Sequence, residues 1–92
     1  MIKIKVEVLD NHIALYDENE EVIGNLDFIK NGNVLVATHT VVNHTMQGRG
    51  YAEIMFNKFI EYVDENDYTI RPICSYIVKK MQDPEYQKYL VK

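Results

Sequence analysis

Cys74 is the only cysteine in 92 residues, so no disulfide can form within the chain. A chain this small that does without one is expected in a reducing, cytoplasmic compartment. No apolar run approaches the roughly 18 residues of a membrane span. The opening stretch from Met1 to Val8 lacks the apolar core and cleavage site of a secretory signal. Basic residues are few: ten Lys and Arg against fourteen Asp and Glu leave a formal charge of −4. That balance disfavours nonspecific nucleic-acid binding, which depends on neutralising phosphates. His12 and His44 have no partners at metal-ligand spacing, and one cysteine assembles no local zinc motif, so no metal is expected.

What is present is an ordinary globular composition, 47% hydrophobic and 26% charged, with room for one compact domain over residues 1–92. Ile2 to Val8 alternates apolar and charged residues with the two-residue period of a half-buried strand. His12 to Tyr16 reads as its hairpin partner. Glu21 to Ile29 reads as a third strand with Val22, Leu26 and Phe28 on one face and Gly24 at a bulge or close backbone approach. Asn31-Gly32 marks a tight turn into a fourth strand, Val34 to Val42.

From Gly50 the period becomes helical, with Ala52, Met55, Phe56, Phe59 and Val63 on one side of a helix running to about Asn66. Tyr68 to Ile73 reads as a short strand parallel to the fourth, because a crossover helix joins them. Ser75 to Gln82 is a short helical segment, and Asp83 followed by Pro84 starts another. The expected fold is α+β: a mixed, mostly antiparallel sheet of about five strands, a crossover helix and short C-terminal helices.

The segment from Val41 to Ala52 carries the chemistry. A strand gives way to a polar turn holding Gly48, Arg49 and Gly50, and a helix follows. First-turn amides of a helix lack intrahelical partners and its macrodipole favours an anion there. Gly48 and Gly50 let the backbone approach such a group, Arg49 offers a charged donor, and Ala52 keeps the helix close to the turn. A glycine-relaxed loop with no ligand is the other reading of the same residues. Glu53 stands where the third glycine of a dinucleotide fingerprint would be.

Gln47-Gly48-Arg49-Gly50-Tyr51-Ala52 resembles the Gln/Arg-x-x-Gly-x-Gly/Ala signature of the GNAT superfamily of N-acetyltransferases. A narrower resemblance, to a minimal GNAT-like branch of very short chains, runs through His39-Thr40, Pro72-Ile73-Cys74-Ser75-Tyr76 and Asp83-Pro84-Glu85-Tyr86. Val41 departs from the Glu that often follows His-Thr there. The resemblance implies that acetyl-CoA is the co-substrate and that an amine, whether protein lysine, polyamine or metabolite, is acetylated. It implies a CoA-binding set of Val42, Gln47, Gly48, Arg49, Gly50, Tyr51, Ala52 and Cys74.

Acetyl transfer needs a deprotonated amine, a polarised carbonyl and a proton for the departing thiolate. The residues available for these tasks are Cys74, His39 and Tyr76. Cys74 lies just past the fifth strand, where the sheet is expected to splay; it is an inert core thiol or, as the resemblance implies, a site residue serving as nucleophile, acid or pocket wall. His39 is expected on the fourth-strand face that carries Leu35, Ala37 and Val41, either as a hydrogen-bonded histidine at the sheet surface or as a general base sharing a cleft with Cys74. The resemblance implies Tyr76 as proton donor to the leaving group, as tyrosines serve in many GNAT enzymes, with packing in the core as its other reading. Two rivals stand beside the enzyme: a CoA-binding module without turnover, and a small interaction domain whose strands pair with a partner. A monomer or weak homodimer is expected.

Overall fold

The computed structural model describes residues 3–91. Strands β1 (Lys5–Val8), β2 (His12–Tyr16), β3 (Val22–Asn31) and β4 (Val34–Val42) form an antiparallel meander. Helix α1 (Tyr51–Glu65) crosses over to β5 (Thr69–Pro72), which pairs parallel with β4. The strand order follows the chain, β1 to β5. Helix α2 (Ser75–Lys80) and a 3-10 segment (Pro84–Tyr89) complete the architecture, the α+β fold with a mixed sheet read from the sequence. The expected first strand began at Ile2, which lies outside the described residues.

Local signals explain the connections. Gly32 has φ +62 between the paired residues Asn31 and Val34, so the tight turn is Gly32-Asn33. That is one residue later than Asn31-Gly32, with glycine at the first central position. Asp83 caps the last segment by accepting from Glu85 N–H at 2.9 Å, and Pro84 follows at the first helical position.

One face of the sheet carries the core. Ile13, Leu15, Leu26, Phe28, Leu35 and Ala37 meet Met55, Phe56, Phe59 and Val63 of α1. Phe28 and Phe59 pack with ring centroids 5.6 Å apart. Burial of each such side chain contributes about 1.5–3 kcal/mol. α2 joins the same face through Ile77, and Lys80 ties it to Glu53 of α1.

Two bulges alter which residues face this core. In β3, Leu15 pairs with Gly24 but Tyr16 pairs with Val22, so Ile23 is an extra residue. Ile23 and Gly24 both turn inward, and Val22 is left 56% exposed, not on the face of Leu26 and Phe28. In β4, Phe28 pairs with Ala37 but Asp27 pairs with His39, so Thr38 is the extra residue. Leu35 and Ala37 point into the core. Beyond the bulge Thr40 and Val42 take that face, and His39 and Val41 are exposed on the other.

Candidate functional site

The site begins where β4 and β5 part. Their pairing runs only from Val34–Thr69 to Ala37–Pro72. The N–H groups of Ile73 and Cys74 both donate to the Ala37 carbonyl, at 2.9 and 3.0 Å, and the chain then turns into α2. From Thr38 to Val42, β4 continues without β5 beside it.

Beyond Val42 the chain makes a 3-10 turn (His44–Met46). Asn43 caps this turn, its side-chain oxygen accepting from Thr45 N–H at 3.1 Å. The sequence predicts a polar turn here without this helical element. The signal for it was an Asn at a cap position. Gln47 Nε2 donates back to the Val42 carbonyl at 3.3 Å, fixing the loop against the strand end. Gly48 and Gly50 follow with φ +82 and +77, left-handed values that glycine adopts without strain.

Gly50 is the N-cap of α1, and no side chain caps this helix. The first free amide to find an intrahelical partner is that of Ile54, which donates to Gly50 O at 3.2 Å. The amides of Tyr51, Ala52 and Glu53 precede it and keep their hydrogen-bonding capacity. The positive end of the dipole of a 15-residue helix adds to their pull on an anion.

A cavity of about 380 Å³ opens on these amides. Thr40, Val42, Met46, Gln47, Gly48, Gly50, Tyr51, Ala52, Glu53 and Tyr76 line it. Six of the expected CoA-binding residues therefore meet there: Val42, Gln47, Gly48, Gly50, Tyr51 and Ala52. Arg49 is exposed and does not line the cavity. Tyr51 is 92% buried, its ring belonging to the core. Thr40, Met46 and Glu53 were missed as lining residues.

Cys74 is half-buried next to this wall, its Sγ 3.5 Å from Thr40 Oγ1. Burial pushes the thiol up, but Thr40 and the amides of Ile77 and Tyr76 outweigh burial, and the group ionises below its ordinary value of 9.0. The sulfur makes no formed cap bond to those amides; they act as oriented dipoles at the start of α2. Tyr76 lines the cavity and stacks edge-on to Phe56, centroids 6.5 Å apart. Burial raises its phenol above the ordinary 10.0; Lys80 opposes this, and Glu53 and Tyr86 add to it. Tyr76 therefore holds its proton at neutral pH.

His39 does not join Cys74. Strand alternation after the Thr38 bulge sends the two neighbours Thr40 and His39 to opposite faces, and Thr40 is the one that touches Cys74. The expected shared cleft of His39 and Cys74 is absent for this reason. Among the described residues Glu53 is the single charged side chain lining the cavity, and Lys80 Nζ holds its Oε1 at 3.2 Å.

A parallel strand pair that opens beside an uncapped helix start leaves free amides that suit an anionic group. The chain belongs to the GCN5-related N-acetyl-transferase family, whose model matches residues 12–89. Comparison with curated proteins finds none that matches. Among solved structures, the fold is similar to a GCN5-like protein of Staphylococcus aureus, at TM-score 0.73 and 20% identity over 95% of this chain and 87% of that one. It is also similar to YhbS, a GNAT family N-acetyltransferase of Escherichia coli solved in complex with CoA. There the TM-score is 0.64 and the identity 13%, over 78% of this chain and 62% of that one. An aminoglycoside acetyltransferase from an uncultured soil metagenomic sample matches at TM-score 0.52 and 20% identity, over 73% and 48% of the two chains. Among the described residues no helix is long and apolar enough to cross a membrane.

Proposed function

We propose that this chain transfers the acetyl group of acetyl-CoA to an amine, with the co-substrate held along β4 and across the start of α1. The observation that carries this reading is the uncapped, left-handed helix start at Gly50, opening on the cavity between β4 and α2. Three unpartnered amides and a helix dipole suit a pyrophosphate. The open edge of β4 from Thr38 to Val42 offers backbone donors and acceptors to the amides of a pantetheine arm. The family membership and the CoA held by a structural relative support the same ligand.

The co-substrate supplies an activated acetyl thioester; the rest is done by this chain. In this reading Cys74 is the nucleophile. Thr40 turns its hydroxyl to donate to the thiolate, and the sulfur attacks the thioester carbonyl, forming an acetyl–sulfur bond as the bond to the CoA sulfur breaks. Tyr76, neutral at pH 7, gives its proton to the departing thiolate. An amine then attacks the acetyl-cysteine, freeing the Cys74 thiolate, and the proton shed by the amine returns to the Tyr76 phenolate. His39 takes no part, because it stands on the opposite face of the sheet.

Thermal unfolding with and without acetyl-CoA tests the binding step, with ATP and NAD as phosphate-bearing controls. At about a hundredfold excess over its dissociation constant a native-state ligand adds roughly 2.7 kcal/mol. A rise specific to acetyl-CoA supports the pocket, and no rise at millimolar ligand overturns it. Mass spectrometry after mixing with acetyl-CoA alone tests the chemistry: one acetyl group on wild type and none on Cys74→Ala is expected. Turnover retained by Cys74→Ala means direct transfer to the amine, with Cys74 as a wall of the site.

A further inference from the structure

The two edges of the sheet are finished differently. Beside β5 the C-terminal residues close the edge, with Ile70 bridged to Leu90 and Val91 N–H donating to Ile70 O at 3.0 Å. β1 ends the sheet on the other side, paired with β2 alone among the described residues. Such an edge is a template for another strand unless charge or distortion prevents it.

The side chains on this edge are ordered by face. Val6 and Val8 pair with the core residues Leu15 and Ile13, and with Ile4 they pack against the core. Lys5 and Glu7 pair with Tyr16 and Ala14 on the other face. Lys5 Nζ sits 3.8 Å from Glu7 Oε2, and the two side chains are 64% and 40% exposed, so this contact is weak and readily exchanged. A groove of about 450 Å³ runs between the strand and α1, lined by β1 from Lys5 to Val8 and by Lys58, Glu61, Tyr62 and Glu65 of the helix.

We propose that β1 pairs antiparallel with β1 of a second copy of this chain about a two-fold axis through Val6, joining the two sheets into one. In such a pair the residues directly opposite share a face, so the axis must pass through a residue. An axis through Lys5 sets Lys5 against itself, one through Glu7 sets Glu7 against itself, and one through Ile4 sets Lys3 against Lys5. Like charges directly opposite are destabilising. The axis through Val6 places Lys5 opposite Glu7 of the second copy, and Glu7 opposite its Lys5. On the inner face it sets Ile4 opposite Val8 and Val6 opposite itself, so the apolar row continues from one sheet into the other.

The charges on the strand thus reject the axes through Ile4, Lys5 and Glu7, and an axis through Val8 sets core-facing Val6 against Asp10 of the following bend, which leaves the axis through Val6. Because the contact is a single short strand, the dimer is weak and forms at high protein concentration. The pairing is independent of the acetyl-transfer reading, since the cavity at Gly50 lies beside β4 and the start of α1, with β2 and β3 between it and β1.

Sedimentation equilibrium up to millimolar protein tests it. Wild type is expected to dimerise reversibly. Lys5→Glu and Glu7→Lys each oppose like charges and weaken association by roughly tenfold, with circular dichroism confirming that the variants fold. The double variant K5E/E7K restores opposite charges and recovers the wild-type association. A monomeric wild type, single variants that associate like wild type, or a double variant as weak as the singles would each overturn the proposal.

Discussion

Cys74 Sγ lies 3.5 Å from Thr40 Oγ1, joining the start of α2 to β4 where β4 and β5 part. The contact sets both the ionisation of the thiol and the shape of the cavity wall, since Thr40 lines the cavity. Replacing Thr40 with Val keeps the volume and removes the hydroxyl. The Cys74 thiol is then expected to ionise at higher pH, and its alkylation by iodoacetamide at neutral pH to slow. Equal rates in the two proteins would show that the hydroxyl does not hold the thiolate.

The same shift makes stability depend on pH. A thiol whose folded-state pKa lies below its unfolded value binds fewer protons when folded, so its contribution grows as pH rises toward 9.0 and is lost as pH falls through the folded value. Urea unfolding of wild type and Thr40→Val across this alkaline window is expected to show a shallower rise for the variant. A steeper rise contradicts the assignment.

Gly50, at φ +77, is required by conformation before it is required by any ligand. A Cβ there meets no atom within 4 Å, so the cost of Gly50→Ala is the left-handed backbone, about 1–2 kcal/mol. Gly50→Asn is expected to cost less, since Asn visits this region more readily. Both variants fold, and both lose affinity for acetyl-CoA by roughly tenfold or more if the ligand lies against this backbone. An Asn variant binding as tightly as wild type would place the ligand elsewhere.

Gly24 is constrained in the opposite way. A Cβ on Gly24 falls 3.1 Å from the Val41 carbonyl and 3.2 Å from Met55 Cε. The methionine end can yield but the backbone oxygen cannot easily do so. Gly24→Ala is expected to lower unfolding stability by about 1–3 kcal/mol, measured by urea titration. A neutral substitution would mean that β3 and β4 can separate at this point without loss.

These two glycines show what was legible in the sequence. β2 and β4 were read at their observed bounds, β4 from the turn signal before it, and the 3.6-residue period located α1 within a residue of its own. Gly24 was read as a bulge or close approach, and it adjoins one and makes the other. The bulges themselves are a property of the partner strand: an extra Ile23 or Thr38 leaves the local pattern almost unchanged yet reverses every face beyond it. Both misplaced faces, Val22 in β3 and His39 in β4, follow from that single cause. Thr40 was missed as a wall of the cavity for the same reason, since unbroken alternation assigns it to the outer face.

Lys80 and Glu53 offer a test of the electrostatics. Glu53 is an acidic side chain beside amides suited to an anion, and Lys80 Nζ at 3.2 Å offsets it. Lys80→Gln is expected to weaken acetyl-CoA binding by a few-fold, the scale of an exposed ion pair. Glu53→Gln in the same chain is expected to restore it, as read by calorimetric titration. A double variant as weak as the single one would mean that Lys80 acts on the ligand directly.

The most direct test of the central claim is a titration of isotope-labelled protein with acetyl-CoA, followed by amide chemical shifts. The expected result is a saturable set of changes at Thr40, Val42, Gly48, Gly50, Tyr51, Ala52 and Tyr76, with His39 and the β1–β2 hairpin little affected. Changes centred away from the start of α1, or none at saturating ligand, would contradict the account.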